Sequence, residues 1–145
     1  MVNVIVNGDI FESKCQTIVN TVNCVGIMGK GLALAFKEKY PEMFVRYKEL
    51  CDRNLFEIGK LWIYKSSDKW VLNFPTKIHW KYNSEYSYIE EGLNKFIKTY
   101  KEKGITSIAF PMLGCANGKL DKKNVLGMMI EKLSVCDIPI EIYMR

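Results

Sequence analysis

Val19-Asn20-Thr21-Val22-Asn23-Cys24-Val25-Gly26-Ile27-Met28-Gly29-Lys30-Gly31 carries a β-branched apolar run through two asparagines into three glycines within six residues. Leu32-Ala33-Leu34-Ala35-Phe36-Lys37 follows with helix-forming residues. Strand, glycine-rich turn and helix in that order make the repeating unit of an α/β protein. Glycines at such a junction let the backbone approach a ligand closely and turn its N–H groups toward anionic oxygens. Two familiar phosphate motifs fit badly. Gly26-x-x-Gly29-x-Gly31 reverses the spacing of the dinucleotide fingerprint, and Lys30 precedes Gly31 instead of the Ser or Thr that holds magnesium in a P-loop. The stretch reads as a diphosphate cradle of another kind.

Working outward, residues 2–6 are β-branched and predict a first strand ending at Asn7-Gly8, with a second at Thr17–Val22. Gly31–Lys39 reads as a helix broken at Tyr40-Pro41, where proline can open the next helix at its first position. Phe44, Tyr47, Lys48 and Cys51 then recur at helical spacing over 41–53. Segments 60–64 and 70–74 predict a hairpin across Lys65-Ser66-Ser67-Asp68-Lys69. Ser87-x-x-Glu90 has the form of a capping box. Behind it Ile89, Leu93, Phe96, Ile97 and Tyr100 make one apolar helical stripe, with Gly104 as a stop. Residues 107–113 read as a short buried strand. Asp121 caps a last helix carrying Val125, Met129, Ile130 and Leu133, and 140–144 closes as a strand.

Strands interleaved with helices predict an α/β layer architecture, with a mixed sheet because the hairpin is antiparallel. The unusual segments, Asp9-Ile10, 20–31, 76–80 and 113–118, all fall just beyond the carboxyl ends of predicted strands. Open α/β sheets bind ligands at that rim.

The totals agree with one domain over residues 1–145, long enough to bury about two-thirds of its unfolded surface. No apolar run approaches the roughly 20 residues of a membrane span. The start, Met1-Val2-Asn3-Val4-Ile5-Val6, lacks the basic flank of a signal peptide. Five cysteines without a Cys-x-x-Cys pair suggest neither a disulfide framework nor a zinc site, so a cytoplasmic location is expected. The net charge of +5 comes from 18 lysines and 3 arginines. It favours a polyanionic partner and equally describes a solvated lysine surface, and the scarcity of arginine argues against reading base edges. His79 is the only histidine, so no metal cluster or Ser-His-Asp triad is expected, and no cofactor.

Asn7-Gly8-Asp9-Ile10, the 20–31 loop and Pro111-Met112-Leu113-Gly114-Cys115-Ala116-Asn117-Gly118 together resemble the macrodomain family, which binds ADP-ribose. Asn73-Phe74-Pro75-Thr76-Lys77-Ile78-His79-Trp80 is most similar to its DNA ADP-ribosyl glycohydrolase branch, the DarG-type antitoxins, which remove ADP-ribose from thymidine in DNA. The resemblance implies a three-layer α/β/α macrodomain with a central mixed sheet, acting as a metal-independent glycohydrolase on ADP-ribosylated single-stranded DNA. It implies a monomer without membrane attachment and a DarT-type toxin as partner. DarG-type proteins usually carry a further, toxin-engaging domain. Since this chain stops at Arg145, it is expected to be an excised domain or to act only by reversing the modification. A non-catalytic ADP-ribose binder, and a hydrolase of protein-linked or small-molecule ADP-ribose derivatives, remain alternatives.

Asp9 reads as a turn or helix-capping aspartate before Ile10-Phe11-Glu12-Ser13. By the resemblance it accepts the adenine amino hydrogen, with Gly8 and Ile10 beside it. Asn20 and Asn23 read as strand-end Asx turns, or as amides that need partners when buried. The resemblance places Asn23 at the distal ribose, as a catalytic-site residue, and Asn20 among the binding residues. Val25, Gly26, Met28, Gly29, Lys30, Gly31 and Leu32 are implied to wrap diphosphate and distal ribose. Lys30 also reads as a solvated loop lysine. Thr76, together with Leu113, Gly114, Cys115, Ala116, Asn117 and Gly118 of the second phosphate loop, completes the implied binding set. Cys115 is expected to be non-catalytic, since no histidine lies at a partner spacing.

Lys77 aligns with the branch's catalytic lysine; otherwise it is one more surface lysine. A neutral amine can attack an anomeric carbon and proceed through a Schiff-base-like intermediate. With an unshifted pKa only about one lysine in a few thousand is neutral at pH 7, so Lys77 is expected to be partly desolvated. His79 and Trp80 read as packed loop residues or, in the basic-aromatic run 78–82, as nucleic-acid contacts, His79 to the nucleobase or a neighbouring phosphate and Trp80 by stacking. A related protein-directed branch has a catalytic aspartate where this sequence has Gly118. That departure argues against a lysine–aspartate pair.

Overall fold

Alternation along the strands sets the architecture. In β2, Thr17–Val22, Ile18 and Val22 face one apolar cluster and Val19 the opposite one; in β4, Trp70–Pro75, Val71 and the pair Leu72 and Phe74 divide in the same way. Side chains in a strand point to opposite faces with period two, so a strand apolar on both faces needs a helical layer on each side. The computed structural model describes residues 1–145. Its remaining strands are β1 (Val2–Ile5), β3 (Trp62–Lys65), β5 (Ile108–Pro111) and β6 (Ile140–Tyr143). They form one six-stranded sheet in the order β1-β6-β5-β2-β4-β3. Every neighbouring pair is parallel except β3–β4, which is antiparallel. The carboxyl ends of β1, β2, β4 and β5 therefore open on the same rim.

Helices α1 (Gly31–Lys39) and α2 (Pro41–Asp52) cover one face, where Phe36, Tyr40, Met43 and Tyr47 pack on Ile18, Val22, Val71 and Ala109. Helices α3 (Tyr86–Lys103) and α4 (Lys122–Leu133) cover the other, where Ile89, Leu93, Phe96, Val125, Met129 and Leu133 meet Val19, Leu72, Phe74, Ile108 and Phe110. The mixed three-layer α/β/α arrangement expected from the sequence is thus realised. Gly92 of α3 stands where a Cβ would lie 2.2 Å from Cζ of Phe74, so the helix rides directly on that ring.

Three local expectations are corrected. Ser87 does not cap α3: Glu85 holds the cap position without a side-chain bond, and Ser87 lies inside the first turn, so the capping-box pattern is coincidental. Ile130 is 39% exposed, because Val125, Met129 and Leu133 at four-residue spacing define the buried stripe and its next neighbour rotates about 100° away. Strand β5 ends at Pro111; Met112 and Leu113 already belong to the following loop. Asp121 does cap α4, its Oδ1 accepting the Asn124 N–H at 3.0 Å. No helix is long and apolar enough to cross a membrane.

Candidate functional site

Four loops leave the common rim, and two abutting cavities lie among them. One, of about 410 Å³, is lined by Asn23, Gly29, Lys30, Gly31, Thr76, Lys77, Trp80 and the 114–118 loop. The other, of about 620 Å³, is lined by Gly8, Asp9, Ile10, Tyr143, Lys122 and Arg145. Thr21, Leu32, Met112, Cys115 and Ala116 border both, so the two join as one trough. Asp9 borders one cavity and Lys77 the other, with the shared border between the two, a form suited to a long polar ligand. No three His, Cys, Asp or Glu side chains gather closely enough to hold a metal ion.

The wall formed by residues 23–31 is built around Asn23. Its Oδ1 accepts the N–H of Val25 (3.0 Å) and of Ile27 (3.4 Å) and lies 2.8 Å from the Tyr47 hydroxyl; its Nδ2 donates to the Ile27 carbonyl at 2.8 Å. Tyr47 is fully buried in α2, and burial pushes its hydroxyl pKa up, so it stays a neutral donor. One asparagine therefore folds the turn around itself, with one of its two Nδ2 hydrogens left without a partner in the chain. Gly26 takes φ +87° against Lys48, a conformation that L side chains rarely adopt. Gly31, at φ +61°, starts α1, whose first residues Gly31, Leu32 and Ala33 border the trough.

Asn20, Val25, Gly26 and Met28 were expected to touch ligand, but none of them lines the trough. Asn20 is fully buried in register with Asn73, its Nδ2 donating to Asn73 Oδ1 at 3.1 Å and lying 3.8 Å from Met28 Sδ. Together they make the footing beneath the loop. The Asn20 side chain faces the sheet side covered by α1 and α2, beside Met28, whereas Thr21, Val22 and Asn23 at the strand's end reach the trough.

The opposite wall, 112–118, is tied by the Leu120 N–H to the Gly114 carbonyl (2.9 Å) and the Ser84 N–H to the Gly118 carbonyl (3.0 Å). Leu113 is fully buried behind it and is likewise not a lining residue. Gly114 has φ +73°. At Gly118 a Cβ would lie 2.2 Å from Ser84 Oγ and 2.5 Å from the Gly114 oxygen. No side chain, and so no aspartate, fits at position 118 without moving backbone. Burial pushes the Cys115 thiol up to about 11, which leaves it a poor nucleophile at neutral pH.

Asp9 Oδ1 accepts the Phe11 N–H at 2.9 Å and caps the 3-10 turn Ile10–Glu12. The carboxylate thus serves as a local cap and still borders the second cavity. At the other end Lys77 follows Pro75 and Thr76 off β4 and donates through Nζ to the Trp80 carbonyl at 3.1 Å. Its pKa is lowered, first by burial and then by the cations Lys30 and Lys119. That direction favours the neutral amine. His79 stays outside both cavities, its ring 5.4 Å from that of Trp80 and 5.5 Å from that of Tyr82. Trp80 borders the Lys77 cavity and is 45% exposed.

Thr21, Val22, Ile27, Ala33 and Met112 line the Lys77 cavity without having been expected to, as Lys122, Tyr143 and Arg145 do the Asp9 cavity. The first five, at the Lys77 end, are ordinary apolar or small residues that only their position brings there. Tyr47 and Ser84, which hold the two walls from behind, carry no local signal either.

A sequence profile described as Macro domain matches residues 19–129. The chain is 45% identical over 123 residues to the DNA ADP-ribosyl glycohydrolase of Mycobacterium tuberculosis, covering 82% of this chain and 35% of that protein. It therefore spans about a third of the length of that curated relative. Among solved structures it superposes with a TM-score of 0.93 on the macrodomain of M. tuberculosis DarG, at 40% identity and covering 99% of this chain and 97% of that one. It also superposes with a TM-score of 0.92 on Thermosipho africanus DarTG in complex with ADP-ribose, at 40% identity, covering 97% of this chain and 41% of that one.

Proposed function

The chain belongs to the macrodomain family, and from that premise we propose that it is an ADP-ribosyl glycohydrolase releasing mono-ADP-ribose from thymidine in single-stranded DNA. The observation that carries the reading is the Lys77 amine, held in one end of a trough whose other end presents Asp9. ADP-ribose lies along the trough with adenine against Asp9 and Ile10. Its diphosphate rests on the backbone of 29–31 and 114–118, and its distal ribose lies between Asn23 and Lys77. The similarity to DNA ADP-ribosyl glycohydrolases supports the DNA-linked substrate. The packing at Gly118, which leaves no room for a carboxylate beside the lysine, supports a one-residue mechanism.

The neutral Lys77 amine attacks the anomeric carbon, and the bond from that carbon to the thymine nitrogen breaks with its electron pair going to the base. The base takes up a proton, and the lysine-bound sugar opens to an imine that water hydrolyses, returning free amine and ADP-ribose. Burial of the amine and its two cationic neighbours raise the neutral fraction this step needs. A DarT-type toxin would supply the substrate.

Lys77→Ala separates an enzyme from a binder. ADP-ribose affinity by calorimetry should stay within a few-fold of wild type, while release from an ADP-ribosyl-thymidine oligonucleotide falls by about three orders of magnitude. Lys77→Arg should not restore it, because a guanidinium never becomes neutral. Undiminished release by Lys77→Ala would refute the mechanism; release from acidic protein side chains but not from DNA would refute the substrate.

A further inference from the structure

The turn behind Lys77 holds one peptide group at both ends. The Trp80 carbonyl accepts the Lys77 Nζ at 3.1 Å, and the N–H of the same peptide unit, that of Lys81, donates to His79 Nδ1 at 3.1 Å. A trans peptide is planar and its C=O and N–H point in opposite directions, so a grip on the N–H fixes where the carbonyl aims. Two backbone bonds frame the turn: Tyr82 N–H to the His79 carbonyl (3.1 Å) and Cys24 N–H to the Ile78 carbonyl (3.2 Å). The second ties the turn to the loop folded around Asn23. The aromatic rings of Trp80 and Tyr82 hold the imidazole in place. Lys77 itself has a long rotatable stem and no carboxylate within ion-pair distance, so the Trp80 carbonyl is its single polar anchor.

We propose that His79 is a positioning residue: by accepting the Lys81 N–H it aims the Trp80 carbonyl at Lys77 and so keeps the amine in the trough. Nδ1 accepts only when it carries no proton, so the ring's N–H sits on Nε2. This role is separate from the nucleobase contact expected from the sequence: Nδ1 is spent on backbone, and Nε2–H has no partner within the chain. The activity arm of its test rests on the glycohydrolase reading; a second arm does not.

Asparagine places Oδ1 where histidine has Nδ1, the same two bonds beyond Cβ, whereas alanine has no acceptor. His79→Ala should leave ADP-ribose affinity unchanged and lower kcat on an ADP-ribosyl-thymidine oligonucleotide by roughly tenfold to a hundredfold, with KM unchanged. His79→Asn should recover kcat to within about threefold of wild type. The second arm follows the rate at which Lys77 is reductively methylated, read by mass spectrometry across pH. It should change in His79→Ala and return in His79→Asn. A raised KM with kcat intact, or equal kcat losses in the two variants, would overturn the proposal. A wild-type protein that releases nothing from the oligonucleotide would sink the glycohydrolase reading alone, and the methylation rates would then decide His79's role: unchanged rates in His79→Ala overturn it.

Discussion

Replacing Gly118 by alanine should damage stability and ligand binding together, by an amount that the packing sets. The added methyl would sit 2.2 Å from Ser84 Oγ and 2.5 Å from the Gly114 oxygen. The hydroxyl can rotate aside, but the carbonyl is backbone, already engaged by the Leu120 N–H at 2.9 Å. The loop must open by at least about 0.5 Å, at an overpacking cost of about 1–3 kcal/mol. The bonds from Leu120 to Gly114 and from Ser84 to Gly118 stretch with it, each contributing about 1 kcal/mol when well formed. A net loss of about 2–3 kcal/mol lowers Tm by about 6–9 °C in a domain of this size. The same opening turns the 114–118 backbone off the trough, and about 1.4–2.8 kcal/mol of lost binding weakens ADP-ribose affinity by about tenfold to a hundredfold. Thermal unfolding with and without ADP-ribose, together with calorimetric titration, measures both effects. Gly127 supplies the control: it lies in α4 with nothing within 4 Å of an added Cβ, so Gly127→Ala should raise stability by about 0.5–1 kcal/mol. If Gly118→Ala melts within 2 °C of wild type and binds ADP-ribose equally well, tight backbone packing is not why position 118 is glycine.

Gly92→Ala should destabilise by about 1–3 kcal/mol with ADP-ribose affinity unchanged once folded, because its methyl would meet the buried Phe74 ring, which packs under α3 and does not line the trough; denaturant unfolding and calorimetry test both halves. The pKa of Lys77 is lowered, so its charged form persists only to a pH below that of an ordinary lysine. The log of the release rate should rise with unit slope from pH 7.5 and level off before about 10.5. Removing Lys30 and Lys119 as glutamines should move the plateau to higher pH but not fully to the free-lysine value, since burial is the first cause of the shift. A pH-independent rate would end the neutral-amine account.

Most of the fold was readable along the chain because its signals are short-range. The β-branched run of β2, the turn residues between β3 and β4, the stripe of Leu93, Phe96 and Tyr100, the Pro41 start of α2 and the Asp121 cap depend on neighbours a few residues away. So does the placing of the odd loops just past strand ends, which a parallel sheet then gathers on one rim. Where a local pattern misled, at Ser87 and Ile130, a choice between adjacent residues was made by packing that no window contains.

From the sequence alone come the α/β class, the strand and helix order and the glycine loops, since each is written in residue type and spacing; Lys77 stands out only through the resemblance of residues 73–80 to a known branch. Tertiary structure alone decides that Asn20 and Met28 are footing and not wall, that Asn23 spends nearly all its hydrogen bonds folding its own turn, and that Gly118 is closed by Gly114 and Ser84. It also couples His79 to the Lys77 amine through one peptide plane. The division follows from range. Hydrogen-bonded periodicity is decided between near neighbours, whereas a side chain's access to a cavity depends on which distant atoms already occupy the space around it.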